Sequence, residues 1–202
     1  MADSADVLAV RFGAGPEVGL RIAAGIAPHG QFRAAGFAEA PGADGRYRLR
    51  SHHPCEYFGP GPDPLPATDW RQRPAFGRRV FVSTELTMTL DVTAGDGGLT
   101  LRLRTEGCAN VPVELALAIR QADSIAADGE LVIDDETGKR FCNRGSLIVR
   151  GPAGALRIGE GACEHDVTEI STGETPRRPR QLHCLRLLTP IDTTVTIART
   201  AT

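Results

Sequence analysis

The 202 residues carry 23 basic against 25 acidic side chains, a formal net charge of -2, with 41% hydrophobic and 24% charged residues. That near balance supplies no overall attraction to nucleic acid or anionic lipid, so neither partner is expected. The length fits one large all-β domain or two small ones, and no stretch approaches the roughly 18 apolar residues of a membrane helix.

In chain order, the start Met1 to Asp6 is acidic, without the basic region of a signal peptide, and Val7 to Phe12 is too short for a signal core, so a soluble, cytoplasmic protein is the expectation. Asp6 to Phe12 and Val18 to Ile22 read as strands joined through Gly13-Ala14-Gly15-Pro16; a two-turn helix over Val18 to Ala27 is the competing reading. Gln31 to Phe37 suits a strand, and Pro41-Gly42-Ala43-Asp44-Gly45 is a dense turn signal. Arg46-Tyr47-Arg48-Leu49-Arg50 alternates, with Tyr47 and Leu49 on one face and three arginines on the other. From Pro54 to Pro74 six prolines remove backbone donors, which predicts an ordered arm at about 54–74 carrying Tyr57, Phe58 and Trp70, the one tryptophan.

The strongest pattern runs from Phe81 to Ile119. Glu85 to Val92 alternates, Gly95-Asp96-Gly97-Gly98 turns the chain with residues that tolerate positive φ, and Leu99, Leu101 and Leu103 resume the period of two. Glu106 to Asn110 turns it again into Val111, Val113, Leu115, Leu117 and Ile119, which completes a β-meander. Beyond it, Asp123 to Gly129 reads as a polar connection. Leu131 to Ile133, Phe141 to Asn143, Ser146 to Arg150, Ala155 to Ile158, Cys163 to Ile170, Leu182 to Leu188 and Thr194 to Ala198 read as further strands. The whole predicts a single domain over 1–202: an all-β, antiparallel β-sandwich, jelly-roll or supersandwich-like, of roughly ten to thirteen short strands.

Five widely spaced cysteines without a C-x-x-C pair argue for free thiols, against a disulfide framework or a zinc ribbon. Two polar clusters stand out. His52-His53-Pro54-Cys55-Glu56 offers metal ligands, although neighbours on a strand point to opposite faces. Cys163-Glu164-His165-Asp166 puts a thiol and an imidazole on one face at a spacing too long for direct contact, which weighs against a Cys-His nucleophile pair. His183 is in register with Leu185 and Leu187, and with His52, His53 and His165 it would complete a cupin-like metal site if the strands brought the four together. Asp134, Asp135 and Glu136 read as a solvated turn, and Arg177, Arg178 and Arg180 as a solvated loop. Neither a phosphate-cradling glycine loop nor a G-x-S-x-G elbow is present, and no cofactor is expected.

Aromatic rings stack on the CH faces of sugars while arginines bind their hydroxyls, so Trp70, Tyr57, Tyr47, Arg48 and Arg71 are the candidate ligand contacts. Three segments support that reading from another side: Asp69-Trp70-Arg71, Val111-Pro112-Val113-Glu114-Leu115, and Leu188-Thr189-Pro190 before a Thr/Val/Ile strand. With these the latter part of the chain resembles the β-sandwich modules that accompany heparinase-type polysaccharide lyases and some glycoside hydrolases. The resemblance implies a structural or sugar-binding module, with catalysis elsewhere. The expected function is therefore noncatalytic binding of a carbohydrate or similar small polar ligand. The alternatives are a cupin-like or sugar-isomerising enzyme with a histidine and carboxylate site inside the sheet, and a scaffold that forms a homo-oligomer through a sheet edge.

Overall fold

A computed structural model describes residues 7–26, 46–59, 80–136, 138–152, 154–168, 170 and 182–200, without the side chains of 55–59 and 80–82. The strand expected at Gln31 to Phe37, the arm beyond Gly59 with Trp70 and Arg71, and the arginine loop 171–180 lie outside the described residues. Among those described there is no helix, and thirteen strands form two sheets that do not close into a barrel. The protein is an all-β sandwich.

The six-stranded sheet contains β1 (Leu8–Arg11), β2 (Glu17–Ala24), β6 (Pro112–Arg120), β8 (Leu131–Ile133), β9 (Arg140–Cys142) and β12 (Leu182–Leu188), in the order β1-β2-β6-β12-β9-β8. The seven-stranded sheet contains β3 (Arg46–Gly59), β4 (Val80–Gly95), β5 (Gly98–Gly107), β7 (Ser124–Ala127), β10 (Leu147–Gly151), β11 (Gly154–Gly159) and β13 (Asp192–Thr200), in the order β3-β4-β5-β13-β11-β10-β7. Every pairing between strands is antiparallel except that of β12 with β9.

The meander splits across the two sheets. β4 and β5 form a hairpin in one, while β6 crosses to the other and pairs with β2 and β12. One apolar cluster fills the space between, with Leu86, Met88, Leu90, Leu101, Leu103, Val195 and Ile197 from the seven-stranded side. Val18, Leu20, Ile22, Val113, Leu115, Leu117, Leu185 and Leu187 face them from the other. Removing these side chains from water drives the sheets together, at about 25 cal/mol per Å² of apolar surface.

The two sheets differ on their outer faces. β5 and β13 alternate buried and exposed positions, as expected of a sheet with one wet face. In β6, by contrast, Val113 to Ala118 are all buried, and Gly19, Ala23, Cys184 and Arg186 on the adjacent strands are buried too. The apolar run Leu115-Ala116-Leu117-Ala118 is the sequence mark of burial on both faces, with small alanines outward and leucines inward.

Local chemistry explains where expectation and structure part. β2 is a strand, which settles the competing helix reading of Val18 to Ala27 over Glu17 to Ala24. β3 continues through Pro54 to Gly59 instead of ending there, and it can because among the described residues it is an edge strand that pairs only with β4. Cys163 to Ile170 is not a strand: Cys163 makes one isolated bridge to Arg186, and the following residues leave the ladder. Ser124 to Ala127, expected as a polar connection, is β7 on the far edge of the seven-stranded sheet. At the β4–β5 turn neither Gly97 nor Gly98 has positive φ; glycine is required at 98 because a Cβ there would run into the Ile197 carbonyl of β13. The second turn does use the left-handed region, at Gly107 (φ 109°) and Asn110 (φ 57°).

Candidate functional site

The wet outer face of the seven-stranded sheet is built by the alternation that buries Leu90 and Leu103 and packs the partly buried Leu49 on its inner side. Register places Arg48, Asp91, Arg102 and Thr194 side by side across four adjacent strands. Arg50, Thr89, Arg104 and Asp192 form the next row, and Arg46, Thr93, Thr100 and Thr196 the row on the other side. These three rows hold five arginines against two aspartates, in a chain whose net charge is negative.

Carboxylates orient the guanidinium groups. Asp91 accepts from Arg48 Nε through Oδ1 and from Arg104 through Oδ2 at 2.6 Å. Asp192 accepts from Arg102 through both oxygens, at 2.7 and 2.6 Å. The Arg48 hydrogen bond, chiefly, holds the Asp91 carboxyl below its ordinary range, with burial pulling the other way and Arg104 adding to the lowering. Arg102 does the same for Asp192. The side chains of Arg48 and Arg102 are half exposed, at 54% and 51%. Arg50 has no ion-pair partner among the described residues and is exposed.

The remaining candidate ligand residues lie elsewhere. Tyr47 is 45% exposed, on the opposite face of β3 from Arg48, so the two do not share a surface. Tyr57 belongs to β3 with its side chain outside the description, and Trp70 and Arg71 are outside the described residues altogether.

The four candidate metal histidines are not brought together. His52 is on the outer face of the seven-stranded sheet, with Nδ1 3.1 Å from Thr87 Oγ1 and Nε2 3.8 Å from Glu85 Oε2. His53 faces the other way, with Nε2 2.8 Å from Ser51 Oγ. His183 lies in the core on the inner face of β12, beside Leu117 and Arg140, fully buried, with no hydrogen-bond partner for either ring nitrogen. Burial, and then the charge of Arg140, lower its pKa to about 4. His165 sits past the end of β12, its Nε2 3.3 Å from Val113 O and its Nδ1 accepting from Val167 N at 3.2 Å. Among the described residues no three metal-binding side chains converge.

A second polar constellation, which no local pattern announces, occupies the buried outer face of the six-stranded sheet. Lys139 Nζ donates to Glu114 Oε2 at 2.7 Å and to Thr168 O at 3.2 Å. Beside them burial, and then the Glu114 charge, push the Cys184 thiol well above its ordinary range. Arg186 is only 7% exposed; its guanidinium lies 4.7 Å from the centre of the Phe141 ring and donates through one nitrogen to Asn143 Oδ1 and Cys163 Sγ, both at 2.9 Å. Backbone bonds from Arg186 N to Ala162 O and from Glu164 N to Arg186 O fix Cys163 against β12 where β9 has ended. The partners are 23 to 43 positions apart in the chain, so only the pairing of β9, β12 and the 162–164 segment makes the cluster. The Cys163-His165 pair that the spacing weighs against does not form, since His165 turns to Val113 O and Cys163 to Arg186.

Comparison with protein-family models, with curated proteins and with solved structures finds no match for this chain.

Proposed function

We propose that this protein is a noncatalytic β-sandwich module that binds a carbohydrate or similar polar ligand along the outer face of its seven-stranded sheet. The observation that carries the reading is the arginine lattice of β3, β4, β5 and β13, in which Asp91 and Asp192 hold Arg48, Arg104 and Arg102 in fixed poses at a solvent-exposed surface. A guanidinium has five donors, and Arg102, with two nitrogens engaged by Asp192 and a half-exposed side chain, is oriented before any ligand arrives. Such ordering lowers the entropy that binding would otherwise cost. Thr89 lies between Arg50 and Arg104, and Thr93, Thr100 and Thr194 share rows with Arg46 and Arg102; all offer hydroxyls that donate or accept. A flat, hydroxyl-rich and guanidinium-rich strip suits an extended ligand with many hydroxyl groups.

The resemblance of the latter part of the chain to modules that accompany heparinase-type lyases and glycoside hydrolases belongs to the same proposal. A cytoplasmic location is part of it too, supported by cysteines that remain free thiols among the described residues. No helix among these residues is long and apolar enough to cross a membrane.

The test is a binding screen against immobilised neutral and acidic polysaccharides, run with wild type, Arg48→Ala/Arg102→Ala and Arg150→Ala. Arg150 lies on β10, outside the three rows. Binding lost in the double variant and kept in Arg150→Ala is the expected outcome. Binding unaffected by the double variant, or none to any member of the panel, overturns the proposal.

A further inference from the structure

The outer face of the six-stranded sheet holds a group that ligand binding on the opposite sheet leaves unused. Arg186 is 93% removed from solvent by its 7% exposure, yet no carboxylate pairs with it among the described residues, and its Nε has no hydrogen-bond partner. Its other contacts, the Asn143 carbonyl oxygen and the Phe141 ring, are neutral. A buried cation is costly unless negative charge faces it. Of the side chains it bonds, only Cys163 can carry that charge, with Sγ at 2.9 Å. The guanidinium is therefore aimed at the sulfur of an exposed residue. The other described thiols differ: Cys142 and Cys184 are buried, and burial raises both; Cys108 is partly covered, with its sulfur 2.9 Å from Thr84 Oγ1.

We propose that Cys163 is a thiol-disulfide exchange site for low-molecular-weight disulfides, with Arg186 stabilising the negative charge shared among the three sulfurs as exchange proceeds. The proton of Cys163 passes to solvent, and the sulfur attacks one sulfur of the disulfide RS–SR. A bond forms between Sγ and that sulfur while the original S–S bond breaks, and the second sulfur leaves with the electron pair as RS⁻, taking up a proton from water. One cysteine is oxidised to the mixed disulfide as the small disulfide is reduced to one bound and one free thiol, so no further oxidant enters. The acceptor of the Arg186 hydrogen bond changes from a thiol sulfur to a disulfide sulfur, and the modified residue lies on the strand edge where Ala162 and Glu164 pair with Arg186. The reaction at this edge is reversible by added thiol.

The test is incubation of the full chain with oxidised glutathione, followed by peptide-resolved mass spectrometry over time for wild type, Arg186→Gln and Arg186→Lys. Expected is modification of Cys163 ahead of Cys108, Cys142 and Cys184. The Cys163 rate should fall about tenfold in Arg186→Gln, the worth of one hydrogen bond to a charged group, and recover in large part in Arg186→Lys. A Cys163 rate no faster than that of Cys108, or a folded Arg186→Gln that reacts as fast as wild type, overturns the proposal. Should Arg186→Gln not fold, the order of reactivity in wild type decides the matter.

Discussion

Acid should destabilise this protein through His183 before it does so through the carboxylates. The imidazole is fully buried on β12, both ring nitrogens lack partners, and Arg140 lies beside it, which lowers its pKa from 6.5 to about 4. In the unfolded chain the same ring titrates at its ordinary value, so between these pH values the unfolded state binds a proton that the folded state refuses. Stability is therefore fully present above about pH 6.5 and is lost as pH falls towards about 4. With those two values the loss is about 2 kcal/mol at pH 5 and approaches about 3.4 kcal/mol below pH 4, taking 1.36 kcal/mol per pKa unit. Asp91, Asp192 and Glu17 also lose stabilisation on acidification, but their ordinary values of 3.8, 3.8 and 4.5 are already lowered, so they act in a more acidic window. Urea unfolding at a series of pH values from 7.5 to 4.5 measures the effect, compared between wild type and His183→Leu. Leucine matches the neighbouring Leu185 and Leu187 and removes two unpaired polar atoms, so the variant should be at least as stable as wild type near neutrality and show a flatter dependence on pH. An equal loss of stability in both proteins between pH 6.5 and 5 would refute the argument.

Other predictions follow from packing and charge. Lys139→Met leaves the Glu114 carboxylate buried without its partner, and thermodynamic unfolding should show a loss of about 3–5 kcal/mol, while Glu114→Leu/Lys139→Met together should cost less than the single change. Gly98→Val forces a side chain against the Ile197 carbonyl and should weaken the pairing of β5 with β13, seen as a loss of more than about 2 kcal/mol and as faster amide exchange along β13. Arg48→Ala removes an exposed ion pair and should change stability by no more than about 1 kcal/mol, so that a binding defect in that variant can be read as a loss of contact. Leu90→Ala opens a cavity under the β4–β5 hairpin and should cost about 2–5 kcal/mol by the same unfolding measurement.

The parts of the fold that the sequence makes legible are those governed by a period of two. Glu85 to Val92 and Leu99 to Arg104 announce a hairpin because one face is wet and the other dry, and the same rule separates Tyr47 from the arginines of β3. Where both faces are buried the signal changes: β6 is an apolar run, and its outer alanines give no hint that Glu114 and Lys139 meet there. Short polar strands are nearly silent, as with Ser124 to Ala127, which is held by its pairing with β10 and not by any pattern of its own. Cys163 to Ile170 shows the opposite error, because after the one bridge of Cys163 to Arg186 no described strand continues beside the segment. Proline at 54 argues against a central strand only, and β3 lies at an edge among the described strands. The arginine rows were half legible: Arg46, Arg48 and Arg50 share a face by alternation, whereas their meeting with Asp91, Arg102 and Asp192 depends on register set 43 and 90 residues apart. Cys163 stands out in a polar cluster, but its contact with Arg186 carries no local signal, since the end of β9 and the bridge at Cys163 create it.

The central claim is that the outer face of the seven-stranded sheet receives a carbohydrate or similar polar ligand. Amide chemical-shift mapping of the labelled protein, titrated with whichever oligosaccharide the screen selects, tests it most directly. The account predicts shifts concentrated on Arg48, Arg50, Thr89, Arg102 and Thr194, with little change on β2, β6 and β12. Shifts confined to the six-stranded sheet, or a titration that moves no resonance, would contradict it.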